Sequence, residues 1–131
     1  MKIIFTVCSL LLFIAGFGQT DSLSQHKADP NAKEEARKKI ESIRNDIVTG
    51  KISFSAAAKK YSMDPGSASQ GGLYADVTPG TFVAEFEAVV SEAKLKQVSE
   101  IFETEFGYHI LLVEAKHGDK IDVRHILIAP K

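Results

Sequence analysis

Two stretches near the end of the chain decide the fold: EFGYHILLVEA, residues 105–115, and DVRHILIAPK, residues 122–131. Both contain the tripeptide His-Ile-Leu within an apolar run, and short apolar runs of this kind are typical of buried β-strands. The segment KHGDK, residues 116–120, follows the first stretch; it contains a glycine and predicts a five-residue hairpin loop. We therefore expect strands at Tyr108–Ala115 and Ile121–Ile128, paired antiparallel.

Apolar residues at helical spacing dominate the region before these strands. Asn31 is the expected N-cap of the first helix, since its side chain suits that position. In chain order, the expected elements are a helix at 31–50, a helix at 53–61, a strand at 73–77, a helix around 82–90 and a strand at 98–102. Helices segregated from a small antiparallel sheet predict an α+β fold, with about three helices flanking the sheet.

The first residues have the pattern of a secretory signal peptide. Met1 and Lys2 give a positive start, residues 3–17 are a continuous apolar run, and a polar stretch follows. We assign residues 1–19 to the signal and residues 20–30 to a linker, and we expect an exported, periplasmic protein. No membrane span is expected after cleavage; an uncleaved anchor is the alternative, although no stop-transfer flank follows the run.

Composition narrows the classes of function. The chain has 131 residues, 44% hydrophobic and 25% charged, which indicates one small domain. Its formal net charge of -1 gives no basic field for nucleic acid. The single cysteine, Cys8, lies inside the signal, so the mature chain has no thiol nucleophile or disulfide. No phosphate-binding loop or Cys/His metal pattern is present, and we expect no cofactor and no metal.

A few polar residues are candidates for chemistry, namely Asp64, Thr104, Tyr108, His109 and His125. Without further information, the two histidines are best interpreted as core residues satisfied by hydrogen bonds, although a β-bulge would bring them onto one face. Asp64 precedes Pro-Gly, where an aspartate commonly bonds its own turn. Phe82 and Phe86 are simply expected to pack in the core.

Three separated motifs give these residues a second interpretation. YSMDPGSASQGG (61–72), GTFVAEFEAVV (80–90) and VSEIFETEFGYHILLVEA (98–115) resemble the parvulin-type peptidyl-prolyl isomerase domain, in that order and at similar separations. The resemblance covers about residues 27–114, and we place the domain at 31–118. In the turn after the third helix, where the family usually has Pro-Gly, Leu95 and Lys96 stand instead, which predicts a strained turn.

The resemblance implies roles for individual residues. Asp64, Thr104, His109 and His125 are assigned to the catalytic group; Phe82, Phe86, Leu73 and Tyr108 are assigned to substrate binding. Within these sets, Asp64 is expected beside the imide, Phe82 and Phe86 at the prolyl pocket, and the Thr104 hydroxyl bonded toward the paired histidines. The histidines are expected to hold each other and Asp64 in register.

The resemblance implies that the chain is a peptidyl-prolyl cis–trans isomerase assisting the folding of exported proteins. Its partners would be unfolded or extended polypeptides containing X-Pro bonds, whose uncatalysed isomerisation is slow because amide resonance resists rotation. The chain has no Lys/Arg cluster at the position where phosphate-specific parvulins have one, so the resemblance does not imply selectivity for phosphorylated substrates. The alternative is a non-catalytic periplasmic chaperone that binds peptides in the same hydrophobic groove.

One strand of the family pattern is missing from its usual place. Parvulins begin with a strand of the type SHILI just before KADP, where this chain reads SLSQHKADP, residues 22–30. DVRHILI resembles that opening strand, and we expect residues 119–131 to fill its position, with His125 as the second histidine. Two alternatives remain open: a strand-swapped homodimer, or a chain that is the front piece of a longer tandem protein.

Overall fold

The computed structural model describes residues 29–131. The predicted signal peptide and nearly all of the predicted linker lie outside the described residues. The described helices and strands are α1 (Pro30–Val48), α2 (Phe54–Tyr61), a short 3-10 helix (Ala68–Gln70), β1 (Leu73–Val77), α3 (Ala84–Glu92), β2 (Phe102–Thr104), β3 (Gly107–His117) and β4 (Lys120–Ile128). Between residues 29 and 131, no helix is both long enough and apolar enough to cross a membrane.

The four strands form one antiparallel sheet in the order β1-β4-β3-β2. The predicted α+β architecture is therefore confirmed. The C-terminal strand β4 lies inside the sheet, between β1 and β3, and reaches that position within the same chain through the two-residue turn Gly118–Asp119. This turn is shorter than the predicted five-residue loop, because the backbone pairing of β3 and β4 continues as far as His117 and Lys120.

The two faces of the sheet are covered by different helices. On one face, α1 and α2 pack against Ile110, Ile126 and Ile128, which are at most 2% exposed. On the other face, α3 packs through Phe86 against Leu111. The alternation of side chains along each strand decides which residues meet which helix, because successive residues point to opposite faces.

A β-bulge at Glu114 decides where the two histidines point. Near the turn, His117 lies opposite Lys120, but beyond the bulge His109 lies opposite Leu127 and Leu111 opposite His125. If the pairing near the turn continued without the bulge, His109 and His125 would lie on opposite faces, because a one-residue slip reverses the face. With the bulge, both imidazoles lie on the face that carries α3.

The start of α1 differs from the prediction. Asp29, not Asn31, is the N-cap: its Oδ1 accepts the backbone N–H of Asn31 at 2.9 Å. Pro30 then occupies the first turn, where its missing N–H costs nothing and its fixed φ suits a helix.

The third helix begins later than expected. Phe82 precedes α3, because the N-cap Val83 has an extended backbone, with ψ 155; the Phe82 N–H donates to the Glu87 side chain at 3.0 Å. The strand predicted at 98–102 lies later in the chain, because β2 covers Phe102–Thr104. The contacts of Ser99 account for the difference. Its carbonyl oxygen accepts a hydrogen bond from Arg44 Nε, so the Leu111 N–H donates to the Ser99 side-chain oxygen and not to the carbonyl that a regular strand would offer.

Candidate functional site

A cavity of about 550 Å³ opens on the sheet face that carries α3. Its lining residues are mostly apolar and include Met63, Asp64, Pro65, Tyr74, Thr81, Phe82, Val83, Phe86, Phe106, His109, His125, Leu127 and Ala129. Asp64 is the one residue in this lining that is charged at neutral pH. A cavity of this size and polarity suits a small apolar group attached to a polar one.

Aromatic rings form one wall of the cavity. The rings of Phe82 and Phe86 lie 4.4 Å apart between centroids, although Phe82 comes from the segment before α3. Tyr74 meets Phe82 edge-on at 5.5 Å, and Phe86 meets His125 edge-on at 5.4 Å. Phe106 lies at the rim, 55% exposed, in the turn between β2 and β3. The aromatic lining of the cavity therefore comes from β1, from α3 and the segment before it, and from the turn between β2 and β3.

The loop that carries Asp64 is held on the sheet at both of its ends. Met63 N–H donates to the Leu127 carbonyl at 2.7 Å, and His125 N–H donates to the Gly72 carbonyl at 3.0 Å. Gly72 has φ +77, and a Cβ there would lie 2.3 Å from the His125 carbonyl oxygen. Only glycine allows this close approach. The loop and β4 therefore hold the Asp64 carboxylate and the His125 imidazole in fixed relation.

A hydrogen-bond chain runs from Asp64 through both histidines to Thr104. His125 Nε2 lies 2.6 Å from Asp64 Oδ2, and His109 Nδ1 lies 3.4 Å from His125 Nδ1. His109 Nε2 lies 2.7 Å from Thr104 Oγ1, which also accepts the Phe106 N–H at 3.2 Å. The imidazole rings are nearly parallel, at 16°.

The ionisation states of Asp64, His109 and His125 decide which atom carries each proton in this hydrogen-bond chain. The pKa of Asp64 is lowered to about 2: burial opposes ionisation, but hydrogen bonds from Ser67, Tyr74, His125 and the Gly66 N–H outweigh it. Burial lowers the pKa of His109 to about 4, helped by the neighbouring His125, and burial also lowers the pKa of His125. At neutral pH the carboxylate is ionised and both imidazoles are neutral.

A neutral imidazole has one N–H and one bare nitrogen, and an ionised carboxylate only accepts. His125 must therefore donate from Nε2 to Asp64 and accept at Nδ1. His109 consequently donates from Nδ1 and accepts at Nε2 the Thr104 hydroxyl proton. Every member has its partner, and no buried side-chain polar atom in residues 29–131 lacks one. The histidines thus orient Asp64 without contributing charge.

The structure brings together six of the eight predicted site residues and places two elsewhere. Asp64, Thr104, Phe82, Phe86 and the two histidines meet at the cavity, with Thr104 behind His109. Leu73 lies opposite Arg124 and Tyr108 opposite Ile128, positions that face α1 and α2. Neither Leu73 nor Tyr108 is among the lining residues.

Sequence reasoning missed Tyr74, which takes the place expected for Leu73. Tyr74 lies opposite Val123, so it shares the face of His125. Strand alternation was visible in the sequence, but the face could be decided only from the register of β1 on β4, which the sequence does not give.

A group of side chains at the far end of the hairpin has spacing that would suit a metal ion. Ligand atoms of Asp76, His117 and Asp122 lie within 4.8 Å of one another. Asp122 Oδ2 is 3.0 Å from His117 Nε2, and its Oδ1 accepts the Asp76 N–H at 2.8 Å. These bonds already tie β1 to the hairpin, and we assign no ion to the group.

Comparison with known proteins identifies the family. Residues 21–115 match the family described as Rotamase: PPIC-type PPIASE domain. The chain belongs to this PPIC-type family. The resemblance inferred from the three motifs is thereby confirmed.

Curated relatives of this PPIC-type chain include Chaperone SurA of Salmonella typhimurium (strain LT2) and Chaperone SurA of Escherichia coli O157:H7. Each is 41% identical over 90 residues, which cover 68% of this chain and 21% of the relative. The chain therefore spans about a fifth of their length. Among solved structures, the peptidylprolyl isomerase PrsA of Bacillus cereus is 31% identical, with a TM-score of 0.45 over 77% of this chain and 31% of that one.

Proposed function

We propose that this PPIC-type chain is a peptidyl-prolyl cis–trans isomerase that acts on X-Pro bonds of exported, unfolded polypeptides. The observation that carries the proposal is an ionised carboxylate, Asp64, at the edge of an otherwise apolar cavity with an aromatic wall. The proline ring would pack against the wall formed by Phe82 and Phe86, and the imide would lie beside Asp64. Catalysis of this reaction needs no bond to the peptide, only a better fit to the twisted imide than to the planar one.

The charge of Asp64 suits that requirement. Resonance in a planar imide moves electron density from nitrogen to the carbonyl oxygen, and twisting removes this resonance. An anion beside that oxygen repels the planar form more than the twisted form, and a poorly hydrated cavity strengthens the effect. The barrier falls because the ground state is raised relative to the transition state.

The hydrogen bonds at Asp64 argue against a covalent mechanism. Oδ2 accepts from Ser67 at 2.6 Å, Tyr74 at 2.7 Å and His125 at 2.6 Å, while Oδ1 accepts the Gly66 N–H at 3.1 Å. An oxygen with three donors has little nucleophilicity left, and the neutral histidines are committed to the chain. We therefore assign Asp64 an electrostatic role and the histidines an orienting role.

A second candidate function is a chaperone that binds unfolded segments in the same cavity without isomerising them. The exposed Phe106 at the rim and the name of the SurA relatives favour it. Exposed apolar surface at a groove commonly marks a site that binds polypeptide. We give isomerisation priority because a binding groove alone has no need of a partly buried carboxylate held by four hydrogen-bond donors.

A peptide isomerisation assay combined with an aggregation assay separates the two functions. The wild-type protein should accelerate cis–trans relaxation of a proline-containing peptide. Asp64→Ala should lower kcat at least about tenfold and lower KM with it, because the bound planar imide is no longer raised in energy by the anion. Asp46→Ala, on the surface of α1, is the matched control and should change nothing. Phe82→Ala should weaken both isomerisation and the suppression of aggregation.

Two outcomes would contradict the proposal. A wild-type protein that suppresses aggregation but never accelerates isomerisation is a chaperone only. An Asp64→Ala variant that isomerises as fast as wild type excludes the carboxylate from the mechanism, whatever the cavity binds.

A further inference from the structure

Tyr74 connects the aromatic wall of the cavity to the Asp64 carboxylate. Its ring lines the cavity and meets Phe82 edge-on, while its hydroxyl donates to Asp64 Oδ2 at 2.7 Å. The other donors to this carboxylate come from its own loop, Ser67 and Gly66, or from β4, His125. Tyr74 is the donor supplied by β1, so it ties a third element to the charged group.

We propose that Tyr74 is a positioning residue of this site. Its hydroxyl holds the ionised Asp64 carboxylate at the edge of the cavity, and its ring forms part of the aromatic wall that the proline contacts. The inference deepens the proposed isomerase function and rests on it for its kinetic part. Its structural part concerns Asp64 alone and is testable separately.

The chain makes room for this hydrogen bond at Gly66. A Cβ at that position would lie 2.6 Å from the Tyr74 hydroxyl oxygen, closer than any side chain tolerates. A rigid phenol ring cannot turn aside as a flexible chain would, so the ring and its hydroxyl would have to move. Glycine at 66 thus permits the tyrosine hydroxyl to reach the carboxylate across the Asp64 turn.

Only a few titratable groups face Asp64 from the surrounding elements. They are Tyr74 on β1, His125 on β4 and, behind it, His109 on β3. Burial and the neighbouring carboxylate raise the pKa of Tyr74, so its hydroxyl keeps its proton and remains a donor. Removing the Tyr74 hydroxyl therefore takes one hydrogen-bond donor away from the Asp64 carboxylate and leaves every charge in place.

Titration of the Asp64 side-chain carbon by NMR tests the structural part. In Tyr74→Phe the titration midpoint should rise by about one to two pH units, since a hydrogen bond to a charged group contributes roughly that much free energy. Tyr61→Phe is the matched control, because Tyr61 packs at the end of α2 against the opposite cluster. Its Asp64 midpoint should equal that of wild type.

Isomerisation kinetics test the functional part through the split between KM and kcat. Tyr74→Phe keeps the ring, so KM should not rise, while kcat falls at least about threefold because the carboxylate is less well placed. Tyr74→Ala loses ring and hydroxyl, so KM should rise as well. A Tyr74→Phe variant that raises only KM would overturn the proposal, since Tyr74 would then contribute only to substrate binding and not to the position of Asp64.

Two further variants approach the same bond from other residues. Gly66→Ala should raise the Asp64 midpoint without altering either partner, because it displaces the hydroxyl. Asp64→Asn should lower the midpoint of the Tyr74 ring carbon in an alkaline titration, since the neighbouring charge is gone. Unchanged midpoints in Tyr74→Phe and Asp64→Asn would overturn the inference even if isomerase activity is found. Shifted midpoints without any wild-type isomerase activity would support the positioning and reject the proposed function.

Discussion

At the scale of single residues, three neighbouring titratable groups carry only one charge. Asp64 stays ionised because four donors outweigh its burial, whereas burial keeps His109 and His125 neutral. A buried imidazole that stays neutral in the native state must gain a proton when it is exposed in acid, which links the site to stability. The same hydrogen-bond chain that orients Asp64 should therefore make the fold sensitive to pH.

We expect the free energy of unfolding to fall as pH decreases from 7 to 4. The pKa of His109 is about 4 in the fold and 6.5 in its ordinary state, so the unfolded chain binds its proton first. The stability contributed is complete above pH 6.5 and is lost toward pH 4, about 3 kcal/mol for a shift of this size. His125 acts in the same direction. Urea unfolding at several pH values measures the slope.

The exposed His117 provides a control of opposite sign. Hydrogen bonding to Asp122 raises the pKa of His117, so its contribution is present below pH 6.5 and lost as pH rises. His109→Asn should flatten the acid loss of stability, and His117→Asn should make it slightly steeper. Equal slopes in wild type and His109→Asn would contradict the assignment of a buried neutral imidazole.

Lys96 stands in a backbone conformation that favours glycine. Its φ is +59, in the turn where the parvulin pattern has glycine, and its N–H donates to the Val113 carbonyl at 2.7 Å. Lys96→Gly should raise the free energy of unfolding by roughly 0.5–1 kcal/mol, since the strain removed exceeds the added freedom of the unfolded chain. Lys94→Gly, a neighbouring lysine without positive φ, is the control and should not stabilise. A loss of stability in Lys96→Gly would show that the turn is not strained.

At the scale of elements, the β3–β4 hairpin decides both the core and the site. Its apolar runs made the two strands predictable, and their histidines were visible in the sequence. The family resemblance implied that the histidines pair, but the residue pattern alone could not place them on one face, because that depends on the bulge at Glu114, which no composition signal marks. The Glu114 side chain accepts Arg124 Nε at 2.7 Å, and Arg124 also donates to the Gly71 carbonyl at 2.9 Å. The bulge is thus tied to the Asp64 loop.

Removal of residues 119–131 should unfold the domain. This segment supplies Val123, Ile126 and Ile128, each at most 2% exposed, and it is the partner of both β1 and β3. The truncated chain should lose cooperative urea unfolding and near-ultraviolet circular dichroism. A synthetic peptide of residues 119–131 should restore both, whereas the same peptide with Ile126→Lys should not. A truncated chain of unchanged stability would show that β4 is dispensable.

At the scale of the whole molecule, the order of strands in space differs from their order in sequence. The strand that resembles a parvulin opening strand comes last in the chain, yet it lies at the centre of the sheet beside β3. The resemblance predicted this position, and only the structure shows how it is reached within one chain. Ala129 and Pro130, after β4, border the same surface cleft as Pro30 and Lys33 at the start of α1.

This proximity predicts that the domain tolerates circular permutation. Residues 119–131, followed by a short Gly-Ser linker and residues 29–118, would place β4 before α1, as in the parvulin pattern. The cut falls in the exposed turn Gly118–Asp119 and the new junction joins neighbouring segments, so few native contacts change. We expect the permuted chain to unfold cooperatively, with a free energy within about 1 kcal/mol of the native order, because changing loop lengths costs little. The permuted chain with Ile126→Lys is the control and should not fold. An unfolded permutant beside a folded native chain would mean that the hairpin turn itself, and not the position of β4, holds the sheet together.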